Sequence, residues 1–194
     1  MTTHIRPEIE ALKDTIVSTR RDIHQHPELS FDEHRTSKLI AERLESLGIE
    51  FQTGVGKTGV VGTLKGKDAG KTIALRADMD ALPIQETGDI PYKSKNDGVM
   101  HACGHDGHTA MLLGTAEALS KQVEKLNGNV KFFFQPAEEG QGGARYMIED
   151  GALEGVDEAY GIHLWNYQKY GTVGVKSGPI LAAADLFEIT IHGK

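Results

Sequence analysis

The chain has 194 residues, a formal net charge of −7 and a hydrophobic content of 39%. This length suits one domain or little more, and the composition is that of a soluble globular protein. The acidic balance argues against a nucleic-acid partner, which usually binds a basic face. A single cysteine excludes an internal disulfide framework and fits a cytoplasmic location. No apolar run approaches the roughly 18 residues of a membrane span, and the first residues lack the apolar core of a signal peptide.

Two helices are predicted at the start of the chain. Apolar residues recur at helical spacing over residues 5–25, where Pro7 suits the first turn and Pro27 marks the stop. A second helix is predicted over 33–47, and Gly48 is its C-terminal stop.

Polar residues at the end of the first helix have two interpretations. His24, His26 and Glu28 lie within five residues of one another and could form a metal site. Polar residues that close one helix and pack against the next are more common than such a site. We therefore favour a structural role for all three.

The apolar pattern then changes to the period of two that is typical of strands. Strands are predicted over 60–64, 72–76, 130–134, 158–163, 171–175 and 185–191. Between them, helices are predicted over 106–125 and 142–150. The continuously apolar run at 130–134 predicts a buried central strand. The expected fold class is α/β, with a mixed, mostly parallel sheet flanked by helices.

The segment from Met100 to His108 holds the densest group of potential metal donors in the chain. Its donors are His101, Cys103, His105 and His108, with the carboxylate of Asp106 among them. Gly104 allows a tight turn, so that the Cys103 thiolate and the His105 imidazole can converge on one ion. His108 remains open between a structural hydrogen-bonding role and a role in supporting the ligands.

Further donors follow the predicted strands. Asp78 and Asp80 come after one strand, Glu138 and Glu139 after the central strand, and His163 ends a third. Open α/β sheets usually bind their ligands at the C-terminal ends of the strands. Sulfur, imidazole and carboxylate together are the donor set of a transition-metal hydrolase.

The adjacent glutamates Glu138 and Glu139 suggest how such a site would work. Two neighbouring carboxylates repel each other unless a cation or a proton separates them. One can bind a divalent metal while the other takes a proton from the attacking water. A metal also polarises a carbonyl, so the predicted reaction is hydrolysis of an amide or ester. An isolated pair would more simply be a solvated acidic turn, but this pair lies between a buried strand and a lone histidine.

Three other interpretations of the cysteine segment fit less well. A thiol hydrolase would use Cys103 as nucleophile and His105 or His163 as base, which leaves the paired glutamates without a role. A zinc nucleobase deaminase requires a second cysteine, which the chain lacks. A buried, unreactive thiol is less expected in surroundings so rich in glycine and polar residues.

Several segments closely resemble one protein family. LRADMDALP at 75–83, MHACGHDGH at 100–108 and QPAEE at 135–139 resemble the amidohydrolase branch of the metal-dependent aminoacylase/carboxypeptidase family. This branch includes hippurate hydrolases, N-acyl-amino-acid deacetylases and plant auxin-conjugate hydrolases. HQHPELS at 24–30 and GIHLW at 161–165 match its further signatures. The resemblance covers essentially the whole chain and implies a zinc-exopeptidase-like catalytic domain.

The resemblance also implies roles for individual residues. The implied metal ligands are Cys103, His105, Glu139 and His163. Cys103 would bridge two divalent ions, which could be Zn²⁺, Mn²⁺, Ni²⁺ or Co²⁺. Glu138 would be the general base, and Asp80 would orient a ligand, with Asp78 as a less certain neighbour. The substrate would be an N-acyl amino acid or a small peptide.

Members of the family are roughly twice as long as this chain and carry an inserted dimerisation domain. By resemblance, residues 1–184 are the N-terminal part of the catalytic domain and 185–194 are the first strand of the insert, cut short. The other half normally brings one more histidine ligand. We therefore expect the chain alone to be inactive, and the full-length protein to be a homodimer or homotetramer. The alternative is a non-catalytic metal-binding fragment or a degenerate relative without turnover.

Overall fold

The structure is a computed structural model that describes residues 5–182 and 187–193. The described residues divide into two units at Leu164 and Trp165. The first unit, residues 5–164, contains the helices and strands. In the second, the described residues 165–182 and 187–193 are exposed and form neither helix nor strand. None of the described helices combines the length and the apolar character needed to cross a membrane.

The first unit begins with three α-helices and three strands, after which helices and strands alternate. The α-helices are α1 (Pro7–Glu10), α2 (Lys13–Gln25), α3 (His34–Ser46), α4 (His105–Ser120) and α5 (Gly143–Glu149). The strands are β1 (Glu50–Val55), β2 (Gly59–Lys65), β3 (Asp68–Asp78), β4 (Asn127–Gln135) and β5 (Glu158–Gly161). A short 3₁₀ helix, Val123–Lys125, follows α4.

The five strands form one mixed sheet in the order β1-β2-β4-β3-β5. The β1/β2 and β2/β4 pairs are antiparallel, whereas β3 runs parallel to both β4 and β5. The predicted α/β fold with a mixed sheet flanked by helices is confirmed, and β4 lies at the centre as its apolar run predicts. Because β3, β4 and β5 point the same way, their C-terminal ends meet at one edge of the sheet.

Side chains on both faces of β4 are buried, which explains its continuous apolar run. Phe132 and Phe134 project into the main core, and Phe133 projects into a smaller cluster on the other face with Met147 of α5. The buried residues of the main core are Ile40, Leu44, Ile49, Val60, Leu64, Ala77, Met79, Leu112, Leu113, Ala116, Phe132 and Phe134. These residues come from α3, α4 and the sheet, so the two helices cover one face of it.

Two features of the N-terminal half differ from the sequence prediction. The single helix expected over 5–25 is interrupted at Leu12, and its two parts are α1 and α2. Strand β1 was not predicted, because five of its six residues are exposed and give no alternating pattern. The second helix ends as expected: Gly48 follows α3 with φ +68°, a conformation that favours glycine.

The strands predicted near the end of the chain are not present among the described residues. Residues 171–175 form no strand. Of the strand predicted over 185–191, Asp185 and Leu186 lie outside the described residues, and 187–191 form no strand. A strand requires a neighbour that accepts and donates its backbone hydrogen bonds, and no described segment pairs with these residues.

Replacing Phe132 by alanine tests the position of the core. Phe132 is fully buried at the centre of the sheet, so Phe132→Ala is expected to lower the free energy of unfolding of the complete protein by about 3–5 kcal/mol. Phe51→Ala is the matched control, because Phe51 lies on edge strand β1 and is 39% exposed. Urea denaturation followed by circular dichroism measures both. Equal losses for the two variants would contradict this assignment of the core.

Candidate metal centre

The candidate site lies at the edge of the sheet where β3, β4 and β5 end. Asp78, the last residue of β3, pairs in register with Gln135, the last residue of β4. Helix α4 begins at the same edge with His105, after Gly104, whose φ of +88° turns the chain into the helix. The structure brings the six predicted site residues together here: Asp80, Cys103, His105, Glu138, Glu139 and His163.

The imidazole of His105 is at the centre of the site. Its Nδ1 lies 3.2 Å from Oδ1 of Asp80, while its buried Nε2 has no hydrogen-bond partner among the described residues. This Nε2 is 3.6 Å from a carboxylate oxygen of Asp78 and 3.8 Å from oxygens of both Glu138 and Glu139. An Nδ1–H that donates to Asp80 leaves the Nε2 lone pair directed at the acidic group. This arrangement is typical of a metal-binding histidine.

The acidic surroundings of His105 attract positive charge. Burial lowers the pKa of His105, but its hydrogen bond to Asp80 and the charge of Asp78 outweigh this effect and raise the pKa. The Nε2 position is therefore favourable for a proton or for a metal cation.

Asp80 connects His105 to the glutamate turn. Its Oδ2 accepts hydrogen bonds from the Ser30 hydroxyl at 2.8 Å and from the backbone N–H of Glu139 at 2.9 Å. Burial acts to raise the pKa of Asp80, but the hydrogen bonds from His105 and from the Glu139 N–H lower it overall. Asp80 is thus placed to orient His105, which is the role that the family resemblance implies for it.

Cys103 and His163 form the outer side of the site. The Cys103 Sγ lies 3.5 Å from the His163 Nε2, and the His163 Nδ1 donates to the backbone carbonyl of Leu164 at 2.6 Å. Donor atoms of Cys103, His105 and His163 all lie within 4.8 Å of one another. The same holds for His105 with Glu138 and Glu139, and for His105 with Asp78 and His108, so three groups share His105.

The surroundings of Cys103 disfavour a thiol nucleophile. Burial, followed by the negative charge of Glu139, raises the pKa of the Cys103 thiol to about 12. The thiolate is the nucleophilic form, so a thiol that keeps its proton at neutral pH is poorly suited to attack a carbonyl. A bound cation would favour the thiolate instead.

The two glutamates differ in their exposure. The side chain of Glu138 is 42% exposed, whereas Oε1 of Glu139 is buried and has no hydrogen-bond partner among the described residues. Partial burial and the charges of Asp78 and Glu139 raise the pKa of Glu138, although His105 opposes them. Two buried atoms without partners, on Glu139 and His105, therefore face a site that also contains a thiol and a second imidazole. This donor set fits a divalent transition metal.

His108 supports the site without facing it. The backbone N–H of Leu164 donates to its Nε2 at 2.8 Å, so its Nδ1 carries the hydrogen and donates to Oδ1 of Asp78 at 2.6 Å. Asp78 also forms an ion pair with Arg76 at 2.7 Å. Burial opposes the effect, but His108, His105 and Arg76 together lower the pKa of Asp78 to about 2. Both nitrogens of His108 are engaged, which favours a hydrogen-bonding role over metal binding.

His101 and Asp106 lie outside the site, although they are close to it in sequence. His101 is buried next to His24, and burial lowers the pKa of His101 to about 4. Asp106 accepts hydrogen bonds from His24 at 2.8 Å and from Arg20 at 2.9 Å. The other ring nitrogen of His24 contacts Glu86 at 3.2 Å. The sequence pattern did not indicate this network, because its residues come from three separate segments.

The residues around the end of α2 have structural contacts, as expected. His26 Nδ1 lies 2.8 Å from the backbone carbonyl of Asp22. Glu28 accepts hydrogen bonds at 2.8 Å from the backbone N–H groups of Arg35 and Thr36 at the start of α3. Neither residue belongs to a group of potential metal donors among the described residues.

The sequence is similar to those of known proteins. The profile of Peptidase family M20/M25/M40 matches residues 74–193. Thermostable carboxypeptidase 2 of Saccharolobus solfataricus is 51% identical over 98% of this chain and 49% of its own length. N-acetylcysteine deacetylase of Bacillus subtilis is 50% identical over 95% of this chain and 49% of its own length. Hippurate hydrolase of Campylobacter jejuni is 48% identical over 97% of this chain and 49% of its own length.

Solved structures show the same relationship. A dinuclear metal-binding peptidase of the M20 family from Bacillus subtilis superposes with a TM-score of 0.84 at 49% identity. The match covers 88% of this chain and 48% of that protein. The resemblance predicted from the sequence motifs is confirmed. The chain spans about half the length of the curated relatives it matches.

The contribution of His24 to stability is expected to depend on pH. Its hydrogen bond to Asp106 and, more weakly, its contact with Glu86 raise the pKa of His24 against the effect of burial. The stabilisation is therefore complete below the ordinary histidine pKa of about 6.5 and decreases as the pH rises through the raised value. The pKa values of Asp106 and Glu86 are lowered. The contribution of these two carboxylates to folding stability is therefore present above about pH 4.5 and is lost in more acidic solution.

We expect the difference in unfolding free energy between the wild-type protein and His24→Gln to be largest near pH 5–6 and to decrease towards pH 9. Urea denaturation at a series of pH values measures this difference. A difference that grows with pH would contradict the assigned pairing.

Proposed function

Because the chain belongs to Peptidase family M20/M25/M40, we propose that the complete protein is a metal-dependent amidohydrolase. Its reaction would be cleavage of the amide bond of N-acyl amino acids or small peptides. The observation that carries this proposal is that His105 belongs both to a donor group with Cys103 and His163 and to one with Glu138 and Glu139. Relatives named for N-acyl amino acid and peptide hydrolysis support the substrate class.

Two divalent ions would be held by side chains from the ends of the strands and the start of α4. The proposed ligands are Cys103, His105, Glu139 and His163. Their sulfur, nitrogen and oxygen donors suit Zn²⁺, Mn²⁺, Ni²⁺ or Co²⁺. Bound there, the ions would polarise the scissile carbonyl and make water more acidic.

Glu138 would act as the general base. It is partly exposed at the site, its pKa is raised, and its Oε2 lies 3.8 Å from the His105 Nε2. A carboxylate so placed takes a proton from the attacking water and returns it to the leaving amine. Asp80 would keep His105 and the backbone of Glu139 in position during this transfer, because it contacts both.

The organisation of the whole protein is part of the proposal. Residues 1–184 would be the N-terminal part of the catalytic domain, and 185–194 would begin an inserted dimerisation domain. The protein would be cytoplasmic and form a homodimer or homotetramer, with a further histidine ligand from the rest of its length. Its relatives are about twice as long as this chain, which supports this organisation.

Substitutions at Glu138 and Cys103 separate the two proposed roles in the complete protein. Glu138→Gln removes the base but no ligand, so it is expected to keep the bound metal and lower kcat by about 10²–10⁴-fold. Cys103→Ala removes a ligand and is expected to lower the metal content itself. Elemental analysis of the purified variants and hydrolysis of acetylated amino acids, hippurate and dipeptides measure both effects.

Glu149→Gln is the control, because Glu149 lies on α5, is exposed and pairs with Arg145 alone among the described residues. It should leave metal content and turnover unchanged. Full activity in Glu138→Gln would contradict the assignment of the base. Bound metal without hydrolysis of any substrate in the panel by the wild-type protein would favour a non-catalytic relative.

A further inference from the structure

A second buried carboxyl group, that of Glu33, lies next to the glutamate turn without belonging to the metal centre. Glu33 is fully buried, immediately before α3. Its Oε1 accepts the backbone N–H of Ala137 at 2.8 Å, and its Oε2 accepts the hydroxyl hydrogen of Thr58 in a short hydrogen bond. Ala137 directly precedes Glu138 and Glu139 in sequence. The carboxyl group therefore connects the start of α3 to the turn that carries the proposed base Glu138 and the proposed ligand Glu139.

The backbone of Ala137 has a conformation that alanine rarely adopts. Its φ is +48°, in the left-handed region that favours glycine, and its side chain is fully buried. Such a conformation persists only where the surrounding contacts determine it. Here the Ala137 N–H donates to Glu33, and the Ala137 carbonyl accepts the N–H of Gly143 at 3.0 Å.

The rest of the turn is held in the same way. The N–H of Glu139 donates to Asp80, and the N–H of Gly140 donates to the carbonyl of Glu138 at 2.7 Å. Of these contacts, the Glu33 hydrogen bond is the one that reaches the turn from α3. It joins residues that are 104 positions apart in sequence.

The non-glycine residues with positive φ, of which Ala137 is one, lie in the segments that Glu33 joins. Among the described residues they are Phe31 at +65°, Lys57 at +79° and Ala137 at +48°. Phe31 is two residues before Glu33, Lys57 is one residue before Thr58, and Ala137 donates to Glu33 directly. The three unusual conformations thus occur in the three segments that Glu33 joins. Backbone strain that is concentrated in this way is typical of functional sites.

A purely structural role does not explain the choice of a carboxyl group. Burial raises the pKa of Glu33, while its hydrogen bonds to Thr58 and Ala137 oppose the rise, so the group is costly to bury. An apolar side chain of similar size would fill the same space without that cost. What an apolar side chain cannot do is accept the Ala137 N–H and hold the turn in place.

We infer that Glu33 is a positioning residue which, through the N–H of Ala137, fixes the turn that presents Glu138 and Glu139 to the metal centre and the substrate. This inference rests on the proposed function, since it assigns those two glutamates the roles of base and ligand. Among the described residues, the hydrogen bonds of the Glu33 side chain go to Thr58 and Ala137 and not to either glutamate. Glu33 acts by fixing the positions of the two carboxylates.

Two substitutions at Glu33 in the complete protein test this inference. In Glu33→Leu the side chain has a similar size but no hydrogen-bond acceptor. In Glu33→Gln the amide oxygen can still accept the Ala137 N–H. The Thr58 hydroxyl can rotate to accept a hydrogen bond from the glutamine NH₂ group. We expect Glu33→Leu to lower kcat for an N-acyl amino acid and to weaken Co²⁺ binding, each by about ten- to hundred-fold, with a smaller change in KM. Glu33→Gln should stay within about three-fold of the wild type in both, because it keeps the hydrogen bond.

Glu28→Leu is the matched control. Glu28 also accepts backbone N–H groups at the start of α3, but its carboxylate does not contact the turn. The Glu28→Leu substitution should lower the melting temperature without changing the Co²⁺ affinity or the visible absorption spectrum of the Co²⁺ form. If Glu33→Leu does not fold, Glu33→Asp replaces it, because its shorter side chain cannot reach both Thr58 and Ala137.

Wild-type kcat and Co²⁺ affinity in folded Glu33→Leu or Glu33→Asp would overturn the inference. So would equal losses in Glu33→Gln and Glu33→Leu, because these would assign the effect to charge or packing and not to the hydrogen bond. A wild-type protein that binds Co²⁺ but hydrolyses no substrate would refute the proposed function alone, and the Co²⁺ affinities would still decide the role of Glu33. A wild-type protein that binds no Co²⁺ would overturn both.

Discussion

The rest of the site depends on one constraint, which is the mutual repulsion of the carboxylates gathered at one edge of the sheet. Asp78, Asp80, Glu138 and Glu139 all approach the His105 imidazole, and their mutual repulsion has to be offset. The negative charge of Asp78 is balanced by Arg76 and His108, and that of Asp80 is stabilised by hydrogen bonds. Both charges are thus compensated within the protein. The glutamate pair lies 3.8 Å from His105, and the charge of Arg76 also acts on Glu138, but neither carboxylate forms an ion pair with a lysine or arginine among the described residues. The negative charge that remains uncompensated makes this edge of the sheet suitable for binding metal ions.

The fold produces this arrangement through parallel strands and one helix start. The ends of β3, β4 and β5 deliver the carboxylates and His163, and α4 delivers His105. Close packing fixes the relative positions of these elements. A Cβ atom on Gly107 would lie 2.5 Å from a methyl carbon of Leu164, so a larger residue there would require the Leu164 side chain to shift. The backbone N–H of the same leucine donates to His108. The residues beside the candidate ligands are therefore closely packed.

Much of the fold and of the site is predictable from local sequence. The apolar run at 130–134 predicts the central strand because both faces of β4 are buried, which makes every position apolar. The donors around Cys103 and His105 are recognisable because their spacing and chemistry are properties of consecutive residues. Strand β1 is not predictable in this way, since its exposed residues carry no alternation and only pairing with β2 makes it a strand.

By itself, the sequence determined the central strand, the family and the set of candidate donor residues. Only the tertiary structure decided which of the neighbouring polar residues face the metal centre and which turn away from it. His105 and Asp106 are adjacent, yet one enters the site and the other pairs with His24, which is 82 positions away. The bond from Ala137 to Glu33 spans 104 positions. Local patterns do not encode contacts of this range, because they form only when the packed helices and sheet bring distant segments together.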